Sequence, residues 1–174
     1  MDIEIVILQS LAKSNDQKTA IREIPLQMRR FYIHAYQSYI FNKTLSMASE
    51  YEEDLFNTQE NDVCYDRTNK LGKFQNETGQ RLTVPLVGHS YFKKTRFDYY
   101  IQKILEQEEV LPSEFLIKDF QEISVEGGFR NSSIQCDGFQ ASNDIIDFQL
   151  SRGAYATIDI REILKPDDPL SCGF

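Results

Sequence analysis

Cysteine, histidine and long apolar runs are scarce in this chain of 174 residues, and each scarcity excludes something. Cys64, Cys136 and Cys172 are far apart, contain no CxxC pair and are odd in number. They cannot form a complete disulfide framework. A reducing, intracellular compartment, cytoplasmic or nuclear, is expected. Only His34 and His89 could join them, and no zinc-ligand spacing is present, so no metal site is expected. No apolar run is long enough to span a bilayer. The start, Met1-Asp2-Ile3-Glu4, lacks the basic n-region of a secretion signal. No membrane partner is expected. Internal repeats and low-complexity segments are also absent. Positive charge is in deficit, with 19 Lys and Arg against 27 Asp and Glu, a net charge of −8 and a pI of about 4.8. Phosphate contacts dominate nucleic-acid affinity, so this is the wrong sign for a surface that binds nucleic acid all over. Any RNA contact has to come from a local basic surface, or from one wall of a groove whose other wall is basic.

What is there suits a packed interior. Hydrophobic residues make up 41% of the chain and aromatics 12%, enough for one domain with a sizeable core or two small lobes. The first part reads helical. Ile3, Ile5 to Leu8 and Leu11 form an apolar cluster, and Ser14 or Asn15 is expected to cap a second helix running through Ala20-Ile21 to Ile24. After Pro25, residues 26–48 read as a helix with apolar residues on more than one side, at Phe31, Ala35, Tyr39 and at Met28, Tyr32, Tyr36, Ile40. Such a helix is expected at the centre of its domain. Residues 50–80 are polar, with a short strand around Val63-Cys64-Tyr65. Residues 82–87 look β-like but carry Pro85, which predicts an edge strand or an irregular one. A helix over 98–109 would bury Tyr100, Ile101, Ile104 and Leu105, and Leu111-Pro112-Ser113-Glu114 turns into a short helix. Glu126-Gly127-Gly128 is a backbone-permissive turn. Residues 145–150 and 155–160 alternate like a hairpin joined by Ser151-Arg152-Gly153. Helices followed by a β-rich tail predict an α+β fold, with a boundary near Ser124.

One stretch stands out: Arg29-Arg30-Phe31-Tyr32-Ile33-His34-Ala35-Tyr36-Gln37-Ser38-Tyr39-Ile40-Phe41-Asn42. It resembles the HAYQSY segment of TruD-family pseudouridine synthases, in the form seen in archaeal and eukaryotic members. Three further stretches follow in the family's order. They are Val84-Pro85-Leu86-Val87-Gly88, then Glu126-Gly127-Gly128-Phe129-Arg130, and last Phe148-Gln149-Leu150 with Gly153-Ala154-Tyr155-Ala156-Thr157 and Arg161-Glu162-Ile163-Leu164-Lys165. The resemblance implies that residues 1–125 are the family's helix-rich insertion (TRUD) domain and that residues 126–174 supply the last strands of the catalytic domain. The family isomerises uridine to pseudouridine in RNA, tRNA first among candidates, with a nucleophilic or basic Asp and no cofactor. No counterpart of that Asp motif lies within these residues. No catalytic residue is therefore assigned to the chain, which is expected to be inactive alone. It would be a fragment, or one piece of a split enzyme that pairs with an N-terminal-half chain or with itself. The alternative is a non-catalytic RNA- or protein-binding module derived from the same fold.

One site residue follows from the same resemblance, and the others from the chemistry of basic side chains. Tyr155 matches the family's C-terminal active-site Tyr/Phe and would pack against a uridine flipped from its stack. Arg130 and Arg161 are candidates for phosphate contacts, because the guanidinium is a planar fork of donors. Arg30, beside Arg29, and Lys93, Lys94 and Arg96 form the compact basic clusters that could touch RNA backbone. His34, Gln37 and Asn42 are assigned structural roles: His34 bonded to backbone or to Tyr or Gln side chains, Gln37 and Asn42 tying the helix to the sheet.

Overall fold

The computed structural model describes residues 2–143, 145–151 and 154–173. The fold is α+β and divides into two compact units, the first ending at Ser132 and the second beginning at Ser133. Among the described residues no helix is long and apolar enough to cross a membrane.

In the first unit, α1 (Ile3–Ser14) ends on Asn15 in the left-handed conformation, with its N–H bonded to the Leu11 carbonyl at 2.8 Å. That role occupies Asn15, so the cap of α2 (Gln17–Arg22) is Asp16 and not Ser14 or Asn15. Asp16 is extended, and its carboxylate accepts from the N–H groups of Lys18 and Thr19 at 3.1 and 3.2 Å. Next comes α3 (Leu26–Glu50), which starts after Pro25. It buries one stripe, Gln37, Ile40, Phe41, Thr44 and Ala48, at helical spacing. The aromatic wrap expected around it is only partly buried: Phe31, Tyr32 and Tyr39 are exposed.

Four antiparallel strands follow the order β2-β1-β3-β4: β1 (Val63–Tyr65), β2 (Leu71–Lys73), β3 (Arg81–Leu86) and β4 (Gly128–Asn131). β3 lies between β1 and β4 in the sheet order, where Pro85 predicts an edge strand or an irregular one, and Leu82 to Pro85 are all buried. Pro85 is tolerated because β1 pairs with β3 only at Arg81 and Leu82. At Pro85 the strand has one partner, Phe129 of β4. The helix α4 (Asp98–Gln107) buries Tyr100, Ile101, Ile104 and Leu105 as expected. Together with Ile40, Phe41 and Ala48 of α3, Leu82 and Val84 of β3, and Val87, Tyr91, Phe97 and Phe115, they form the core. A 3-10 helix, Pro112–Phe115, stands where the short helix was expected.

Two glycines join β3 to β4. A Cβ on Gly88 would lie 2.2 Å from the Gly127 nitrogen, and Gly127 itself has φ +103°. That close approach lets the N–H groups of His89 and Ser90 bond the carbonyls of Val125 and Glu126, both at 3.0 Å. It explains physically why the Val87-Gly88 and Glu126-Gly127 stretches have the residues they do.

In the second unit, β6 (Ile145–Leu150) pairs antiparallel with β5 (Cys136–Ser142), a strand not anticipated, and not with residues 155–160. Those residues lie in α5 (Ala156–Leu164). Their alternation also fits a helix once Ile163 and Leu164 are counted with Ile158 and Ile160. Arg152 and Gly153, the expected turn, lie outside the described residues. Among its described residues none is buried.

Candidate RNA-facing site

A depression of about 470 Å³ lies in the first unit between α3 and residues 122–127. Arg30, His34 and Gln37, at helical spacing on α3, form one wall, and Arg130 of β4 also lines it. Residues Glu122 to Gly127, shaped by the Gly88–Gly127 contact, also line it.

The side chains here are held in place. Arg30 Nε donates to the Glu122 carbonyl at 3.0 Å, which leaves both terminal NH2 groups of the fork for another acceptor. Arg130 Nη1 donates to Ser38 Oγ at 3.3 Å, and its guanidinium stacks 5.1 Å from the Phe41 ring. Gln37, buried, donates from Nε2 to the Val87 carbonyl at 2.6 Å, so it ties α3 to the end of β3 as expected. His34 Nδ1 lies 3.0 Å from Gln37 Oε1. Two carboxylates share the rim. Glu122 is paired with Arg29 at 2.7 Å; its own backbone N–H, and then Arg29, hold its carboxyl below the usual range. Glu126 is exposed.

The remaining candidates stand elsewhere. Arg96 is largely buried and bonded into the fold. It bridges Glu53 and Asp62, each at 3.1 Å, and donates to the Asn57 carbonyl at 3.2 Å. Its fork is spent on protein partners. Lys93 and Lys94 are exposed in the loop before α4, with Lys93 Nζ 5.6 Å from the Tyr91 ring centroid. Arg161 pairs with neighbouring Glu162 at 3.0 Å on the surface of α5. Tyr155 is 74% exposed at the N-terminal boundary of α5. Asn42 is exposed.

Arg30 and Arg130 are a hundred positions apart, one in each of two motifs, and they meet at one cavity. The family model described as tRNA pseudouridine synthase D (TruD) matches residues 1–163. The chain belongs to the TruD family. It is 33% identical over 176 aligned residues to the "Probable tRNA pseudouridine synthase D" of Pyrobaculum aerophilum, covering 98% of this chain and 42% of that protein. It is 32% identical to the protein of the same name from Methanopyrus kandleri, over 94% of this chain and 40% of that one. A crystal structure of a provisionally named tRNA pseudouridine synthase D from Methanosarcina mazei matches with a TM-score of 0.81 at 27% identity, over 97% of this chain and 45% of that one. The chain thus spans about two fifths of the length of its curated relatives, and corresponds to their C-terminal part.

Arg30 and Arg130 are legible in the sequence as separate candidates, their meeting is not, and His34 carries no ligand signal there. The signal available was that both arginines lie in motifs of the TruD resemblance. Their proximity depends on β3 pairing with β4, which no local pattern encodes.

Proposed function

We propose that this chain provides RNA-gripping and base-packing surfaces of a tRNA pseudouridine synthase, while the nucleophilic Asp comes from outside these 174 residues. The observation that carries the reading is the convergence of Arg30 and Arg130 on one cavity in a TruD-family chain. Two guanidiniums with free donors suit a phosphate, whereas the acidic remainder of the surface does not. Tyr155 is the proposed contact to the flipped uridine, and its exposure leaves its ring face free for that role. Residues 1–125 are proposed as the insertion domain and 126–174 as catalytic-domain strands, a division upstream of the one between compact units. The free cysteines support a reducing compartment, cytoplasm or nucleus.

A partner follows from the second unit. A two-stranded sheet with no buried residue among those described needs further strands. We propose that the N-terminal part of a TruD-family enzyme, in the same polypeptide or a separate one, completes it; self-association is the alternative outcome.

Tritium release from tRNA labelled at uridine C5 tests the chemistry. The 174 residues alone should release none, and adding a TruD N-terminal half should restore release. Robust turnover by the chain alone overturns the assignment of the nucleophile elsewhere. Filter binding at low and high salt tests the grip. Binding that is weakened by salt and by Arg30→Ala or Arg130→Ala is expected; no salt-sensitive binding overturns it.

A further inference from the structure

The cavity also contains an imidazole whose tautomer is fixed by the fold. The Val87 carbonyl can only accept. The Gln37 atom 2.6 Å from it must therefore be the amide NH2. This turns Gln37 Oε1 toward His34, and Oε1 can only accept, so the His34 nitrogen 3.0 Å away, Nδ1, carries the proton. Gln37 is buried and cannot flip without stranding the Val87 carbonyl. In the neutral imidazole, Nε2 is then a lone-pair acceptor on an exposed ring that lines the cavity with Arg30 and Arg130.

This combination selects among ligands. An acceptor of this kind repels a phosphate oxygen and requires a donor. The two arginines require an anion. A ribonucleotide backbone unit offers both: phosphate oxygens for the guanidiniums and, one sugar away, the 2′-hydroxyl as donor. Deoxyribose lacks that group. Glu122 and Glu126 also face the cavity, the first neutralised by Arg29, and both favour a donor over a second anion.

We propose that this cavity is a ribose-reading subsite, in which Arg30 and Arg130 hold a phosphate and His34 Nε2 accepts from the adjoining 2′-hydroxyl. The inference rests on the RNA-binding reading above and gives that surface its preference for RNA over DNA.

Fluorescence anisotropy with labelled hexauridylate, its 2′-deoxy form and its 2′-O-methyl form tests it, using the full chain at fixed salt. The methylated form keeps the RNA-like sugar but has no donor. The wild type should bind both modified oligomers about five-fold more weakly than RNA, the effect of one net hydrogen bond. His34→Ala should lose about five-fold on RNA, nothing on the other two, and so lose the preference. Long-range 1H–15N spectra of the free protein should show His34 protonated at Nδ1 when neutral. Equal weakening of all three oligomers by His34→Ala, wild-type binding of the methylated form as tight as RNA, or an Nε2-protonated tautomer would each overturn the proposal. If no oligomer binds in a salt-sensitive way, the RNA-binding reading itself fails. If binding depends on Arg30 and Arg130 but not on the 2′-position, only the ribose subsite fails.

Discussion

The two units of this chain solve the same problem to different degrees. Residues 2–132 close a core. Phe97, Ile40, Ile101, Ile104 and Val84 are fully buried there, between α3, α4 and a four-stranded sheet. The described residues of the second unit have secondary structure, but none of them is buried. Ile145, Ile158, Leu164 and Leu170 are exposed, and the Phe139 and Phe148 rings, 6.5 Å apart, stack across the hairpin. Hydrogen bonding alone gives a hairpin and a helix; burial of apolar surface is what makes them stable. The difference marks the first unit as the one that closes its own core, and it is the basis for the partner proposed for the second.

The largest expected contrast is in amide exchange. Core amides of β3, α3 and α4 should exchange roughly a thousand-fold more slowly than those of β5, β6 and α5. Adding a TruD N-terminal half should raise protection in the second unit selectively. Equal protection in both units of the chain alone would break the comparison.

Gly88→Ala should come next, with a loss of about 4 kcal/mol or more in thermal or urea unfolding. The added methyl meets backbone, the Gly127 nitrogen at 2.2 Å and the Glu126 carbonyl carbon at 2.4 Å, which no side-chain rotation relieves. Gly72→Ala is the control. Its methyl would meet nothing within 4 Å, so a change within about 0.5 kcal/mol is expected.

These features were unequally legible in the sequence. The helices α3 and α4, and the buried face of α4, follow from 3.6-residue periodicity, which is a local property. The position of Pro85 in an inner strand does not follow, because it depends on β1 ending its pairing at Leu82. Strand β5, with Asp137, Gly138 and Gln140 among its residues, carries almost no β-signal, so the sequence pattern pairs β6 with the wrong neighbour. Arg96 sat in a basic cluster in the sequence, but Glu53 and Asp62 claim it through tertiary folding alone. Arg30 and Arg130 were readable as candidates, while their meeting was not.

Charge sharpens the comparison further. Arg96→Ala strands the nearly buried Asp62 and should cost about 3 kcal/mol in unfolding free energy. Arg161→Ala, which removes an exposed pair with Glu162, should change stability by less than about 0.5 kcal/mol. A large effect at Arg161 would mean that α5 is packed more tightly than its exposure indicates.

The last effect expected comes from the cysteines, and it separates the units by pH. Burial, and then the charge of Asp62, push the Cys64 thiol up from 9.0 to about 11. Its folded pKa is above its unfolded one, so its contribution to stability is complete below pH 9.0. That contribution is lost as pH rises from 9.0 towards about 11, because the unfolded chain releases the proton first. The slope cannot exceed about 1.4 kcal/mol per pH unit, the value for one proton. Cys64→Ala should flatten that part of the stability curve. At pH 8 the same burial should keep Cys64 unlabelled by a thiol reagent until the first unit unfolds, while Cys172, exposed in the second unit, labels at once. Rapid labelling of Cys64 in the native chain would show that the first unit opens as readily as the second, and would erase the distinction between them.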